Sequence, residues 1–212
     1  SGSRRPSIVV DDSAHIFVRR EDWAGRAWVK MTEDGSDLGS IPIPDGDLEG
    51  TPVAAQTYLF GPMHTYPFRT FSCLTRKGDL LVAQNTSYVF HRRQDDGRVV
   101  RIERPWEPIP VQRGERRAFQ EVEDHLSERT DSDPVKIPRH KPPWRGFWVD
   151  QEDRLWVALH GEGFFREESP RDRAARERLG NPPREWWEPL RFDVFEPDGS
   201  FLGNLDFPNT QT

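Results

Sequence analysis

A turn built on Asp-Gly occurs three times in this chain, and each time it joins two short runs of alternating apolar and polar residues. The three turns are Asp34-Gly35, Asp96-Gly97 and Asp198-Gly199. Alternation with a period of two is typical of strands, and Asp-Gly supplies the positive φ that a tight hairpin needs. The same hairpin written three times indicates an internal repeat, and a repeat constrains the fold more than any other feature.

Each of these hairpins follows another hairpin, whose turn is a polar cluster. The clusters lie at residues 11–13, 76–79 and 151–153. Each repeat therefore holds four alternating runs of about 5 to 7 residues, the usual length of a strand. A proline closes each repeat where the ladder needs no further donor, at Pro44, Pro105 and Pro208. The pattern predicts a four-stranded antiparallel meander as the repeating unit.

Composition favours half-buried sheets over packed helices. Apolar residues make up 34% of the 212 residues and charged residues 31%, yet aromatic residues reach 11%, with eight Trp. Disordered chains avoid aromatic residues, so this chain is expected to fold. Large rings mainly serve burial. Those at equivalent strand positions are expected to fill the space between sheets: Phe17, Trp28, Tyr88, Trp156 and Phe195.

Two segments of the third repeat, GFWVDQEDRLWV (146–157) and FDVFEPDGSFLGNLDFP (192–208), resemble bacterial six-bladed, NHL-like β-propeller proteins. The resemblance covers most of the chain. It is sharp in the third repeat, fair in the first and weaker in the second, where Thr75 replaces the usual Asp. It implies an all-β β-propeller fold and a bacterial source, and it implies little about chemistry because members of the family are mostly of unassigned function.

The whole chain, 1–212, is accordingly interpreted as one β-propeller segment with three four-stranded antiparallel blades, half of a six-bladed ring. The blades are expected at about 6–44, 68–105 and 143–208. Short helical insertions are expected at about 112–129 and 169–180. The first has Phe119, Val122 and Leu126 at helical spacing, and the second begins at Ser169 and Pro170.

Three blades do not close a propeller, which needs about 4 to 8. Two apolar blade faces would stay uncovered, and a stable monomer rarely exposes patches of that size. Three explanations compete: two copies pair as a homodimer, the missing blades belong to a longer chain, or the insertions cap the stack. We favour the homodimer, because two-fold pairing is the commonest route to an oligomer.

The long connections all fall at one end of the predicted blades. They span residues 45–67, 106–143 and 160–189, whereas the connections at the opposite end are the short turns. Loops on a rigid scaffold usually carry binding or catalysis. We therefore expect a working site at the loop-rich end.

The candidates for chemistry at that end are His160 and Glu162, in the stretch ALHGEGFF, and His64 on another long connection. The glycines beside His160 would let a ligand approach the backbone. The sequence has no phosphate-binding loop, nucleophile elbow or His-Glu-x-x-His motif, and its six His are scattered. We therefore favour a non-enzymatic binding domain without a cofactor or metal. The alternative is a propeller hydrolase or lyase that uses these residues, with or without a divalent metal.

Aromatic and arginine residues on the same loops favour ligand binding, because rings with a few convergent polar groups hold small ligands. A glycan, a peptide or a small molecule would suit them, and a purely structural module is the third class considered. The residues expected to bind are Tyr66, Arg69, Arg145, His160, Glu162 and Trp186.

Charge and hydropathy limit the possible partners. The net charge of −6 is spread without a basic stripe, so a nucleic-acid partner is not expected. No apolar run approaches the roughly 18 residues of a membrane helix, so no membrane span is expected. The single cysteine, Cys73, excludes an internal disulfide. The N-terminus shows no secretion signal, and SGS at 1–3 is typical of a cloning remnant that would replace one, so localisation, including export, stays open.

Overall fold

The fold comes from a computed structural model, which describes residues 8–22, 25–43, 66, 70–94, 96–131, 133, 135–178 and 185–207. Within these residues the chain forms three four-stranded antiparallel sheets, a two-stranded ribbon and two helices. The expectation of an all-β fold built from four-stranded antiparallel sheets is confirmed. Each sheet is open, and no closed sheet forms in the described ranges, so the propeller stays a proposal.

Sheet 1 is a meander in which neighbouring strands follow chain order. Its strands are β1 (Ile8–Val10), β2 (Ile16–Asp22), β3 (Gly25–Met31) and β4 (Asp37–Pro42).

Sheet 2 repeats this topology. Its strands are β5 (Thr70–Leu74), β6 (Leu80–Gln84), β7 (Val89–Arg93) and β8 (Val99–Glu103). Helix α1 (Arg113–Thr130) follows in the connection to the next sheet, and Asp131 ends it in the left-handed conformation, with φ 50°.

Sheet 3 has the same order of four strands, with an insertion between its second and third. The four strands are β9 (Trp144–Val149), β10 (Leu155–Leu159), β13 (Leu190–Phe195) and β14 (Phe201–Phe207). The insertion contains β11 (Phe164–Phe165), α2 (Pro170–Arg178) and β12 (Trp186–Trp187), and β11 pairs with β12.

The six short turns of the sheets in the described chain share one five-residue geometry. In each, the first N–H donates to the fifth carbonyl, and the fourth N–H donates to the first carbonyl. The fourth residue always has a positive φ, a conformation that glycine adopts at little cost. The fourth residues are Ala14, Gly35, Gly78, Gly97, Asp153 and Gly199. The positive φ predicted for the Asp-Gly turns is therefore confirmed.

Thr75 accepts in the second repeat the backbone hydrogen bond that Asp accepts in the other two. Asp11 Oδ1 accepts the N–H of His15 at 2.8 Å, and Asp150 Oδ1 accepts the N–H of Arg154 at 2.9 Å. Thr75 Oγ1 accepts the equivalent N–H, that of Asp79, at 3.1 Å. A short side-chain oxygen that reaches the backbone is what this turn requires, and either residue type provides it.

The sheets pack on one another in chain order. One buried cluster joins sheets 1 and 2 and includes Phe17, Trp28 and Leu80. A second cluster joins sheets 2 and 3 and includes Phe90 and Trp144. All five residues of β6 are buried, because sheet 2 has a neighbour on both of its faces.

Equivalent residues of the three repeats face the same direction along this stack. Phe17, Leu81 and Trp156 stand at the same distance after their turns. Phe17 packs toward sheet 2, and Leu81 packs toward sheet 3. Trp156 lies on the far face of sheet 3, where its ring stacks on Trp148 with centroids 6.2 Å apart. Equivalent strand positions therefore face the same way in all three sheets.

Candidate functional site

The three long connections meet at one buried cluster of polar side chains. Tyr66 comes from the connection before sheet 2, Glu115 and Lys141 from the connection before sheet 3, and His160 and Glu188 from the ends of the insertion within sheet 3. We call these five residues the loop-end network. Residues far apart in the chain thus meet at the end of the sheets where the long connections lie.

Lys141 is the centre of the network and is fully buried, as is Glu115. Its Nζ donates to Glu115 Oε1 at 2.6 Å, to Glu188 Oε1 at 3.0 Å and to the carbonyl of Gly161 at 2.7 Å. An ammonium group has three protons, so each of them has an acceptor. A buried charge is tolerated only when it is paired and hydrogen-bonded in this way.

The hydroxyl of Tyr66 lies between the same two carboxylates. It is 2.7 Å from Glu115 Oε1 and 3.0 Å from Glu188 Oε1. Burial raises the pKa of Tyr66 above its usual value, and the negative charges of Glu188 and Glu115 raise it further. Tyr66 therefore stays protonated and acts as a donor at physiological pH.

His160 is oriented by Glu188. Its Nδ1 is 2.8 Å from Glu188 Oε2, which also accepts the N–H of Gly161 at 3.2 Å. None of the described residues hydrogen-bonds the other ring nitrogen, Nε2. A carboxylate that holds one imidazole nitrogen fixes the direction of the other, as in catalytic and metal-bound histidines.

Glu188 remains ionised down to low pH. Burial alone would raise its pKa, but the hydrogen bond and charge of His160, together with the charge of Lys141, outweigh burial and lower the pKa to about 2. At neutral pH Glu188 therefore faces Lys141 and His160 as a carboxylate. The negative charge that faces His160 is permanent under physiological conditions.

Two glycines make room for this network. A Cβ on Gly163 would lie 2.5 Å from Glu115 Oε1, and a Cβ on Gly161 would lie 2.7 Å from Pro189 Cγ. The sequence suggested that these glycines let a ligand approach the backbone. Instead, the space beside them is filled by Glu115 and Pro189, because the insertions fold back onto the strand end.

The structure brings two of the residues expected to bind a ligand, Tyr66 and His160, into the network. Their rings are in edge contact, with centroids 5.1 Å apart. The structure places three others outside the network. Arg145 donates to the carbonyl of Pro189 at 2.9 Å, Glu162 is exposed, and Trp186 packs against Gly114 at the start of α1.

Two further candidates, His64 and Arg69, lie outside the described residues. The proposed grouping of His64 with His160 and Glu162 is therefore without a structural description.

Glu162 lines an open depression of about 490 Å³ at the loop end of sheet 3. The other lining residues are Ile109, Pro189, Arg191 and Asp206. Arg191 and Asp206 form an ion pair at 2.7 Å within it. Volumes between about 300 and 1,000 Å³ are typical of sites for small ligands.

Sequence reasoning missed Glu115, Lys141 and Glu188. Glu115 had a signal, because it stands four residues before Phe119 and so shares the helix face that packs inward. Lys141 and Glu188 lie in irregular connections, where no periodicity indicates which side chains turn inward.

The network leaves little room for a metal ion. Glu115 Oε2 accepts the N–H of Gln112 at 3.2 Å, so every carboxylate oxygen of Glu115 and Glu188 already accepts a protein donor. Within the described part of the chain, no group of three or more His, Cys, Asp or Glu is arranged to hold a metal ion. None of the described helices has the length and apolar character needed to cross a bilayer.

No family model and no curated protein matches this chain. Among solved structures, the chain is similar to a protein of unknown function from Bacteroides caccae, with a TM-score of 0.34 and 13% sequence identity. The alignment covers 94% of this chain and 48% of that one, so the chain spans about half the length of that protein.

Proposed function

We propose that this chain is a non-enzymatic interaction domain of the NHL-like propeller type. Its three sheets act as three blades, and it self-associates to complete a six-bladed ring. The loop end then carries the ligand, which is a glycan, a peptide or a small molecule. The observation that carries the proposal is the uniform facing of equivalent residues in the stack, since sheets that repeat one packing operation are the building plan of propellers.

The outward face of sheet 3 supports self-association because it is apolar and partly exposed. The exposed fractions are 42% for Trp148, 42% for Leu205 and 46% for Phe207. These residues surround Trp156 and Phe192, whose rings contact one another with centroids 6.1 Å apart. A contiguous exposed apolar face is typical of a protein interaction site.

The outward face of sheet 1 is apolar as well. Ile8 is 58% exposed and Val10 is 54% exposed. Ile16, Val18 and Val29 lie on the same face, because they pair with or alternate with these residues in the sheet. Both ends of the stack thus present apolar sheet surface.

Solution mass tests the proposal. Sedimentation equilibrium should give twice the chain mass of 24.7 kDa, because two copies complete six blades. A single species at 24.7 kDa, with the sheets intact by circular dichroism, would remove self-association from the proposal.

The depression beside Glu162 is the proposed place for the ligand. Its carboxylates and Arg191 offer both acceptors and donors to hydroxyl groups, which suits a sugar. Saturation-transfer NMR with a panel of neutral oligosaccharides should detect binding that Glu162→Ala weakens and that Glu152→Ala, at an exposed turn carboxylate, leaves unchanged. Equal signals from all three proteins would reject this site.

A hydrolase or lyase is the second candidate, and the pairing of His160 with Glu188 favours it. An imidazole held by an ionised carboxylate is the usual form of a general base. Turnover of chromogenic ester and glycoside substrates should then be lost in His160→Asn and retained in His125→Asn. Elemental analysis of the same protein would show whether a metal takes part.

A further inference from the structure

We propose that the two copies join head to tail. The outward face of sheet 3 in one copy packs on the outward face of sheet 1 in the other, at two identical junctions. This inference rests on the proposed self-association and adds to it the surfaces involved and their polarity.

The two contacts between neighbouring sheets inside one chain, here called junctions, show which strand positions meet when two sheets stack. Between sheets 1 and 2, Val9 and Phe17 meet Leu74, Leu80 and Val82.

Between sheets 2 and 3, the repeat places Cys73 and Leu81 where Val9 and Phe17 stand in the first junction. They meet Val149, Leu155 and Val157, which replace Leu74, Leu80 and Val82. The same strand positions therefore form each side of both junctions.

The outward faces are the two unmatched halves of such a junction. On sheet 3, Trp148 and Trp156 take the positions of Cys73 and Leu81.

On sheet 1, Val10, Ile16 and Val18 take the positions of Leu74, Leu80 and Val82. Because the internal junctions use these same positions, the outward face of sheet 3 in one copy fits the outward face of sheet 1 in another.

Side-chain volume agrees with this pairing. The outward face of sheet 3, here called the aromatic face, carries the large rings of Trp148 and Trp156. The outward face of sheet 1, here called the aliphatic face, carries only β-branched side chains at the three positions named above. In the first junction Phe17 and Trp28 likewise pack against aliphatic residues of sheet 2. Pairing two aromatic faces would instead oppose rings to rings and leave both aliphatic faces in water, at a cost set by their apolar area.

Two single-face variants test the polarity. Trp148→Glu charges the aromatic face, and Val10→Lys charges the aliphatic face. Both side chains are about half exposed in the single chain, at 42% and 54%, so the variants should fold. Each variant alone should dimerise with a Kd more than about 30-fold higher, since a central anchor contributes at least about 2 kcal/mol.

Mixing the variants gives the deciding result. An equimolar mixture should dimerise more tightly than either variant alone, because one junction of the mixed dimer is unaltered and the other opposes a negative to a positive charge. The matched control is Val99→Lys, 58% exposed on the middle sheet, which should dimerise like the unaltered chain.

The outcomes separate the two proposals. Dimerisation of Val10→Lys with the Kd of the unaltered chain, or a mixture that dimerises no more tightly than either variant alone, would overturn head-to-tail pairing while self-association stands. An unaltered chain that is monomeric throughout would overturn self-association itself, and head-to-tail pairing with it.

Discussion

At the scale of single residues, Glu115 and Gly163 depend on each other. Glu115 reaches Lys141 and Tyr66 only because Gly163 has no side chain in the way. The carboxylate cannot yield, since it is fully buried and bonded on both oxygens. The glycine is therefore required by the network and not by its own backbone conformation.

Gly163→Ala should lower the free energy of unfolding by about 1–3 kcal/mol, as overpacking usually does. Gly146→Ala is the matched control, because a Cβ there meets nothing within 4 Å. Urea denaturation of both variants checks this. A cost for Gly163→Ala no larger than that of the control would contradict the role assigned to the glycine.

Glu188 should make stability depend on pH. Its pKa is about 2 in the folded chain against an ordinary 4.5, so the ionised group stabilises the fold above pH 4.5. That contribution, about 3 kcal/mol, is lost as the pH falls from 4.5 toward 2.

Unfolding measured across this range should therefore show a shallower decline in Glu188→Gln than in the unaltered chain. Glu162→Gln changes an exposed carboxylate and should keep the original slope. Equal slopes for all three proteins would show that Glu188 titrates normally.

At the scale of elements, the turns were the most predictable part of the molecule. Asp-Gly specifies a positive φ within a few residues, and the structure has that φ at Gly35, Gly97 and Gly199. The sequence also indicated α1 from Phe119, Val122 and Leu126. It did not show that Glu115 and Glu123 share the buried face, since carboxylates are expected in water.

Two of these turns allow the cost of a positive φ to be separated from the cost of a contact with a neighbouring sheet. A Cβ on Gly199 would lie 3.0 Å from Ile102 of sheet 2, whereas a Cβ on Gly97 meets nothing within 4 Å. Gly97→Ala and Gly199→Ala should each lower the free energy of unfolding by about 1 kcal/mol, because Ala adopts a positive φ at a cost. Gly199→Ala should be destabilised further, because its Cβ also presses on Ile102. Urea denaturation would show this as a lower midpoint for Gly199→Ala than for Gly97→Ala. Equal midpoints would show that Ile102 moves aside at little cost.

At the scale of the whole molecule, self-association should make thermal stability depend on concentration. A partner that binds only the folded chain raises the melting temperature as its concentration rises. A hundredfold dilution should therefore lower the Tm of the unaltered chain measured by calorimetry. At concentrations below its raised Kd, Val10→Lys should melt at one temperature. The same concentration dependence there as in the unaltered chain would mean that the outward face of sheet 1 is not used.

The sequence by itself determined the strands, the turns and the threefold repeat, because these follow from period-two alternation and from φ requirements within five residues. Only the tertiary structure decided the loop-end network, whose Tyr66 and Glu188 are 122 residues apart. Irregular connections carry no periodic signal, and a Lys, a Glu or a Tyr becomes buried only when partners from other connections satisfy it. The direction of stacking is likewise a tertiary property, because it depends on which neighbouring sheet each face contacts.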